Sequence, residues 1–505
     1  MQRDDSRPLL NPNVITEEQR HLFESMKASP VTVLQVGEGN FLRGFVDWML
    51  HECRKQGLFA GSVAVTQPRP AGAPKIEALR KQEGMYTLVT RGLEKGERVE
   101  RQELISVFAE AFDPYSDWER FLKLAESPDL QTIVSNTTEA GLAYRAEDLV
   151  EGVPVASFPG KITLLLYRRF VAFDGAENRG LILLPCELLE RNGDELRRCV
   201  LQYSEDWGLP ESFRQWVIRS NRFLNSLVDR IVTGYPEEGA EAWFAEWGYR
   251  DALLNTAEPY HFWAIEAEPE LDELLPFRQA GLNVHWVEDL KPYQLRKVRI
   301  LNGAHTLMTP IGILLGLEQV REVMEHKELG GFVRQTVESD IIPAVSLPAG
   351  ELKEFAAEVF ERFGNPFIRH KLSDIAMNSI SKFKVRLLPS ILYYIDHGER
   401  VPDRLLKGFA ALLRYYKTDK LADGSFEGRT LTGKRYTVRD DAALAEALSS
   451  AWSSAEEDNS GLSVQHRTAQ RLLACTFVWD RDLSAVEGLA EAIGIQFDQL
   501  EERYE

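Results

Sequence analysis

Cysteine is scarce in this chain and never at paired spacing. Cys53, Cys186, Cys199 and Cys475 stand apart with no CxxC, so neither a disulfide framework nor a zinc knuckle is encoded, and a reducing cytoplasm fits best. Positive charge is also in deficit. Lys and Arg total 59 against 78 Asp and Glu, a formal charge of −19, and no basic block interrupts the acidic background. Nucleic acid and anionic membrane are thereby disfavoured as partners. Long apolar runs are missing as well: LILLP and MTPIGILLG fall short of the roughly 18 residues of a membrane span. The opening MQRDDSRPLLNPNVITEEQR places acids and prolines where an export signal needs an apolar core. The nine histidines include no HExxH or tight ligand cluster, so a metal hydrolase is disfavoured.

What the sequence does hold is the composition of an ordinary globular protein, 44% hydrophobic and 27% charged over 505 residues, enough for two or three domains. Val31 to Val36 (VTVLQV) reads as a strand ending at Gly37. After it FLRGFVDWMLHEC repeats apolar residues at helical spacing, giving a β-turn-α unit. Further short apolar runs at 62–66, 105–108, 132–136 and 180–186, with helical stretches between some of them, indicate a parallel sheet covered on both faces. From DLKPYQLRKVRILNGAHTLMT onward the pattern is amphipathic helix, apart from a hairpin-like stretch at 424–438. The fold class expected is α/β: a Rossmann-like dinucleotide-binding domain over residues 1–287, then a mainly helical catalytic domain over 288–505.

In GEGNFLRG, Gly37 and Gly39 fall directly between strand and helix, where backbone amides and a helix N-terminus can bind a pyrophosphate. The third glycine of GxGxxG is displaced, with Leu42 in its place and Gly44 two residues late; Arg43 could add a charge contact to phosphate. There is no Gly-Lys-Ser/Thr of an ATP loop. The acid that often holds an adenosine ribose is missing after the second strand. Gln67 could bond the ribose and Arg69 could face a 2′-phosphate, so both dinucleotides stay open at this point.

In KVRILNGAHTLMT, Lys297, Asn302 and His305 are spaced i, i+5 and i+8. On a helix of 100° per residue they fall at roughly 0°, 140° and 80°, on one side. A hydride transfer also needs a proton moved to or from the substrate oxygen. A lysine with a lowered pKa can do that, an asparagine can donate to the developing alkoxide, and a histidine can orient hydroxyls or the lysine. The plainer alternative is a turn at Asn302-Gly303, a solvated lysine and a core histidine.

KxxxxNxxH together with GxGNF resembles the polyol-specific long-chain dehydrogenases, the mannitol dehydrogenase family. SNTTEAGL (135–142), LPCELLERNG (184–193) and NSLVDRIVTGYP (225–236) are similar to three further segments of that family. VDRIVTGYP and AEPYHFWAIE look most like members that act on a keto-uronate. The resemblance implies an oxidoreductase using NAD without a metal, with a small sugar acid as substrate. Lys297 would be the general acid/base, with Asn302 and His305 beside the reacting oxygen. Gly37, Gly39, Asn40, Phe41, Arg43, Gln67, Thr138 and Glu139 would line the cofactor. The family's asparagine after its Cys-acid pair is replaced here by Leu188, with Asn192 as the nearest substitute. Asn192, Arg230 and Lys382 would contact substrate; Lys384 and Arg386 lie beside Lys382 in SISKFKVR. The alternatives are a different keto-uronate, an uncharged polyol such as mannitol, or a non-catalytic dinucleotide sensor.

Overall fold

A computed structural model describes residues 7–236, 238–456 and 463–502. The chain divides into two compact units, Met1–Leu290 and Lys291–Glu505.

The first unit is built on six parallel strands: β1 (Val31–Val36), β2 (Ser62–Thr66), β3 (Phe108–Phe112), β4 (Thr132–Ser135), β5 (Ile182–Pro185) and β6 (Arg222–Phe223). Their order across the sheet is β3-β2-β1-β4-β5-β6. This is the doubly wound dinucleotide-binding order, with its direction reversing between β1 and β4. The strands read as continuous apolar runs because both faces are buried. Val33, Val65, Val134 and Leu184 join one core, while Leu34, Ala64, Ile133 and Leu183 join the other.

The expected strand at 105–108 is in fact a junction. Met85–Glu94 and Glu97–Ser106 form a long antiparallel hairpin, and the parallel sheet resumes only at Phe108. Lys95 and Gly96 both have positive φ (53° and 81°), the two-residue turn whose twist suits a hairpin. A short apolar run such as ISVF does not reveal that it belongs to two strands. This hairpin joins Val232–Gly234 and Asn255–Ala257 in a second sheet, and Ser226–Asp229, Phe262–Glu266 and Val284–Val287 form a third.

The second unit packs helices around Asn302–Leu314, which is buried along almost its whole length. Glycine permits close approach to its neighbours: a Cβ on Gly408 would stand 2.4 Å from Leu307, and one on Gly312 2.6 Å from Leu372. The hairpin expected at 424–438 is present and gains a third strand, Thr418–Lys420. Ahead of the buried helix, Lys297–Leu301 form a π turn in which the Asn302 N–H donates to the Lys297 carbonyl. No helix among the described residues is long and apolar enough to cross a membrane.

Candidate active site

Gly37 ends β1 at the reversal of strand order. Its φ of 137° is a glycine conformation, its N–H donates to the Thr66 carbonyl at 2.8 Å, and a Cβ there would sit 2.9 Å from the Asn136 carbonyl beyond β4. Gly39 begins the short helix Asn40–Arg43 with no side-chain cap, and a Cβ on it would meet nothing within 4 Å. The turn therefore presents uncapped amides to open space, a geometry that accepts an anion. Beneath it Gln35 Nε2 donates to the Gly37 carbonyl at 2.9 Å and to Asp47 Oδ2 at 3.0 Å. Burial pushes the Asp47 carboxyl up to about 8.

Across the reversal, buried Glu187 organises the loop after β4. It accepts from the Thr137 N–H at 2.9 Å, Thr137 Oγ1 at 3.1 Å and Ser135 Oγ at 3.1 Å. Burial pushes its carboxyl upward against the pull of these bonds. The next residue, Thr138, is held at φ 107°, strained for a β-branched side chain, and strain of this kind concentrates at ligand clamps. Thr138 and Glu139 are exposed. At the end of β2, Gln67 is fully buried with neither amide atom hydrogen-bonded. An orphaned amide beside a glycine cradle fits a dinucleotide.

Several residues chosen by type serve the fold instead. Arg43 does not face a phosphate: its guanidinium donates to the Leu253 carbonyl (2.5 Å), the Glu38 carbonyl (3.3 Å) and Asn40 Oδ1 (2.8 Å), and lies over the Tyr86 ring. That occupies the Asn40 oxygen, and Phe41 stacks on Phe45 at 5.0 Å. The helix expected to run through these residues breaks at Gly44, where a Cβ would meet Val232 at 2.8 Å; the late glycine is required there for packing. Asn192 is sealed between strands. Its Nδ2 donates to the carbonyls of Pro185, Glu187 and Ser226 at 3.0–3.1 Å, and its Oδ1 accepts from Gly193 and Ser226 amides at 2.9 Å. Arg230 donates to the carbonyls of Glu258 (3.0 Å) and Gly44 (2.8 Å) and to Thr90 Oγ1 (3.3 Å), under Trp48. Asn192 has no bonding capacity left for a substrate, and Arg230 is buried with three of its N–H groups given to the protein.

The helical unit keeps its chemistry accessible. Lys297 and Asn302 are half-buried, and the π turn closing between them, with the Asn302 N–H on the Lys297 carbonyl, brings the two residues closer in phase than the roughly 140° of an α-helix. His305 is buried, its ring 4.4 Å from Phe363 and 4.8 Å from His370, and its Nε2 has no partner. Burial first, then the charges of His370, Arg362, Arg386 and Lys382, hold it well below the ordinary histidine range, so it is neutral. Lys382 donates to the Ile375 carbonyl at 2.8 Å and Arg386 to Thr306 Oγ1 at 3.2 Å. Arg386 is half-buried and, among the described residues, bonds no carboxylate. Lys384, by contrast, pairs with Asp480. Among the described residues no group of three or more His, Cys, Asp or Glu side chains is placed to hold a metal ion.

A sheet in dinucleotide-binding order with its glycine turn at the reversal, and a separate helical unit carrying lysine, asparagine and neutral histidine, define the class: a Rossmann-type oxidoreductase for a nicotinamide dinucleotide. Residues 31–277 match the Mannitol dehydrogenase Rossmann domain and residues 289–501 the Mannitol dehydrogenase C-terminal domain. The chain belongs to the mannitol dehydrogenase family. It is 40% identical over 483 residues to altronate oxidoreductase of Bacillus subtilis (strain 168), covering 96% of this chain and 95% of that one. Among solved structures it shares its fold with a substrate-free D-sorbitol dehydrogenase (TM-score 0.76, 21% identity, 99% and 97% of the two chains). It shares it too with Pseudomonas fluorescens mannitol 2-dehydrogenase in ternary complex with NAD and D-mannitol (TM-score 0.63, 20% identity, 98% and 95%).

Proposed function

We propose that this chain interconverts D-tagaturonate and D-altronate with NAD(H). The observation that carries the reading is its 40% identity, over nearly the full length of both chains, to an altronate oxidoreductase. The helical unit supports it independently. A keto-uronate differs from a polyol by its carboxylate, and Arg386 offers a half-buried guanidinium with no acid paired to it among the described residues, flanked by Lys382 one helical turn earlier. Such a fork binds a carboxylate at two points, which an uncharged sugar would not need.

A bound nicotinamide supplies or accepts the hydride at the keto carbon. Lys297 delivers the accompanying proton to the oxygen as it becomes an alkoxide, and takes it back in the reverse direction. Asn302, one π turn on, donates its side-chain amide N–H to the same oxygen. His305, neutral and with Nε2 unengaged, accepts or donates one hydrogen bond to a neighbouring hydroxyl without adding charge. In the first unit the Gly37–Gly39 turn, the Thr138–Glu139 loop and Gln67 hold the dinucleotide, with NAD(H) as the form used. Four free cysteines, three of them buried, support a cytoplasmic setting.

The test is NADH oxidation followed spectrophotometrically with tagaturonate, fructuronate and fructose at matched NADH. The specificity constant should be highest for tagaturonate and lower for fructose by about tenfold or more, the weight of a charged hydrogen bond. Equal reduction of fructose would replace the uronate reading with a polyol one, and a preference for fructuronate would shift it to that substrate.

A further inference from the structure

Rossmann units commonly select their dinucleotide with an acid at the end of the second strand, which accepts from the ribose hydroxyls of NAD and repels the 2′-phosphate of NADP. Here β2 ends in Thr66 and is followed by Gln67, Pro68 and Arg69. A carboxylate stands at that place all the same, brought from the glycine turn. A Cβ built on Gly72, in the loop after β2, would lie 2.5 Å from Glu38 Oε1 and 2.5 Å from Gln67 Cβ. The two side chains thus meet across the gap that this glycine leaves. Glu38 is only 9% exposed, its carboxylate bonds no donor among the described residues, and both amide atoms of Gln67 are buried and unpartnered. An amide buried in this way is costly unless something completes it. Their loop is fixed from outside, since Tyr115 Oη (2.8 Å) and Lys161 Nζ (3.3 Å) donate to the Pro68 carbonyl. Arg69, two residues beyond Gln67, is exposed.

Building on the reading that this unit binds a nicotinamide dinucleotide, we propose that Glu38 and Gln67 form its ribose-recognition pair and select NAD(H) over NADP(H). The carboxylate accepts from the ribose hydroxyls, and the Gln67 amide, donor and acceptor at once, completes the diol. A 2′-phosphate, carrying about −1.5 to −2 charges, would face a buried carboxylate at short range. Arg69 is the counter-charge that becomes useful to such a phosphate once Glu38 is neutralised.

The experiment is fluorescence titration of NADH and NADPH without substrate, on the wild type, Glu38→Gln and Glu38→Gln/Arg69→Ala, with melting curves recorded alongside. The wild type should bind NADH at least about tenfold more tightly than NADPH, and Glu38→Gln should narrow that ratio by about tenfold, mainly by tightening NADPH. The added Arg69→Ala should remove the gain. Should Glu38→Gln fail to fold, competition of NADH by ADP-ribose and by its 2′-phosphate on the wild type makes the same comparison. An unchanged ratio in folded Glu38→Gln, or a wild type indifferent to the 2′-phosphate, would overturn the proposal while leaving the dinucleotide site standing. Failure of the wild type to bind either nucleotide would remove that site, and the proposal with it.

Discussion

The two units handle polar residues in opposite ways. In the Rossmann unit the conspicuous charged and amide side chains of the motifs, Arg43, Asn192 and Arg230, are buried, donate mainly to backbone carbonyls and lock loops together. What remains for a ligand is the Gly39 opening, the strained Thr138 and the Gln67 amide, unpartnered among the described residues. In the helical unit the reverse holds. There, among the described residues, His305 Nε2 lacks a partner and Arg386 lacks an acid. A pyrophosphate can be held by open backbone, whereas a proton-transfer and carboxylate site must be made from side chains.

The contrast predicts unequal responses to substitution. Lys297→Ala should lower turnover by roughly 100- to 10,000-fold while leaving the NADH dissociation constant nearly unchanged; parallel loss of both would mean that the lysine serves the cofactor. Arg386→Leu should reduce the specificity constant for tagaturonate by about 10- to 100-fold and that for fructose little, as expected for one charged hydrogen-bonding partner. An equal loss for both sugars would assign Arg386 to packing against Thr306. Gly39→Val adds a side chain to the open face of the turn, so NADH titration should show about tenfold weaker binding with an unchanged melting temperature. Asn192→Ala should do the opposite, lowering stability by about 1–3 kcal/mol by chemical denaturation while turnover per folded molecule is retained.

A further effect concerns pH. The folded Asp47 carboxyl titrates at about 8, above the ordinary 3.8, because burial favours its protonated form. That proton's stabilising contribution is complete below the ordinary value and is lost as pH rises through about 8. Melting of the Rossmann unit should therefore shift to lower temperature from about pH 5 to about pH 9, and Asp47→Asn should flatten the decline. Parallel curves for the two proteins would contradict a protonated Asp47.

Much of this was legible in the sequence wherever periodicity or spacing carries the information. β1, β2, β4 and β5 announce themselves as apolar runs, and Gly37 as a strand-ending turn. The hairpin of 85–106 was hidden because its second strand runs almost directly into β3, and the break at Gly44 because it answers to Val232, nearly 190 residues away in sequence. The π turn at Lys297 was beyond reach for a related reason: it depends on a shifted backbone bond that no residue type specifies. Side chains picked by chemistry alone fared worst in the Rossmann unit. Whether an arginine meets a ligand or a carbonyl is decided by what folds around it, and for Arg230 those partners are Gly44, Thr90 and Glu258, contributed from distant segments. Glu187 carried a signal, an acid directly after Cys186 within a family-like segment, yet its task of holding Thr137 appears only in three dimensions.

The division of labour rests on Lys297 as the proton carrier, and amine rescue tests that most directly. Hydride transfer in Lys297→Ala, saturated with NADH and tagaturonate, is measured in single turnovers with added primary amines. The rate should rise with amine concentration and vary with amine basicity, while Gly39→Val gains nothing from the same amines. A Lys297→Ala protein that transfers hydride at the wild-type rate without amine, or that no amine rescues at saturating substrate, would contradict the account.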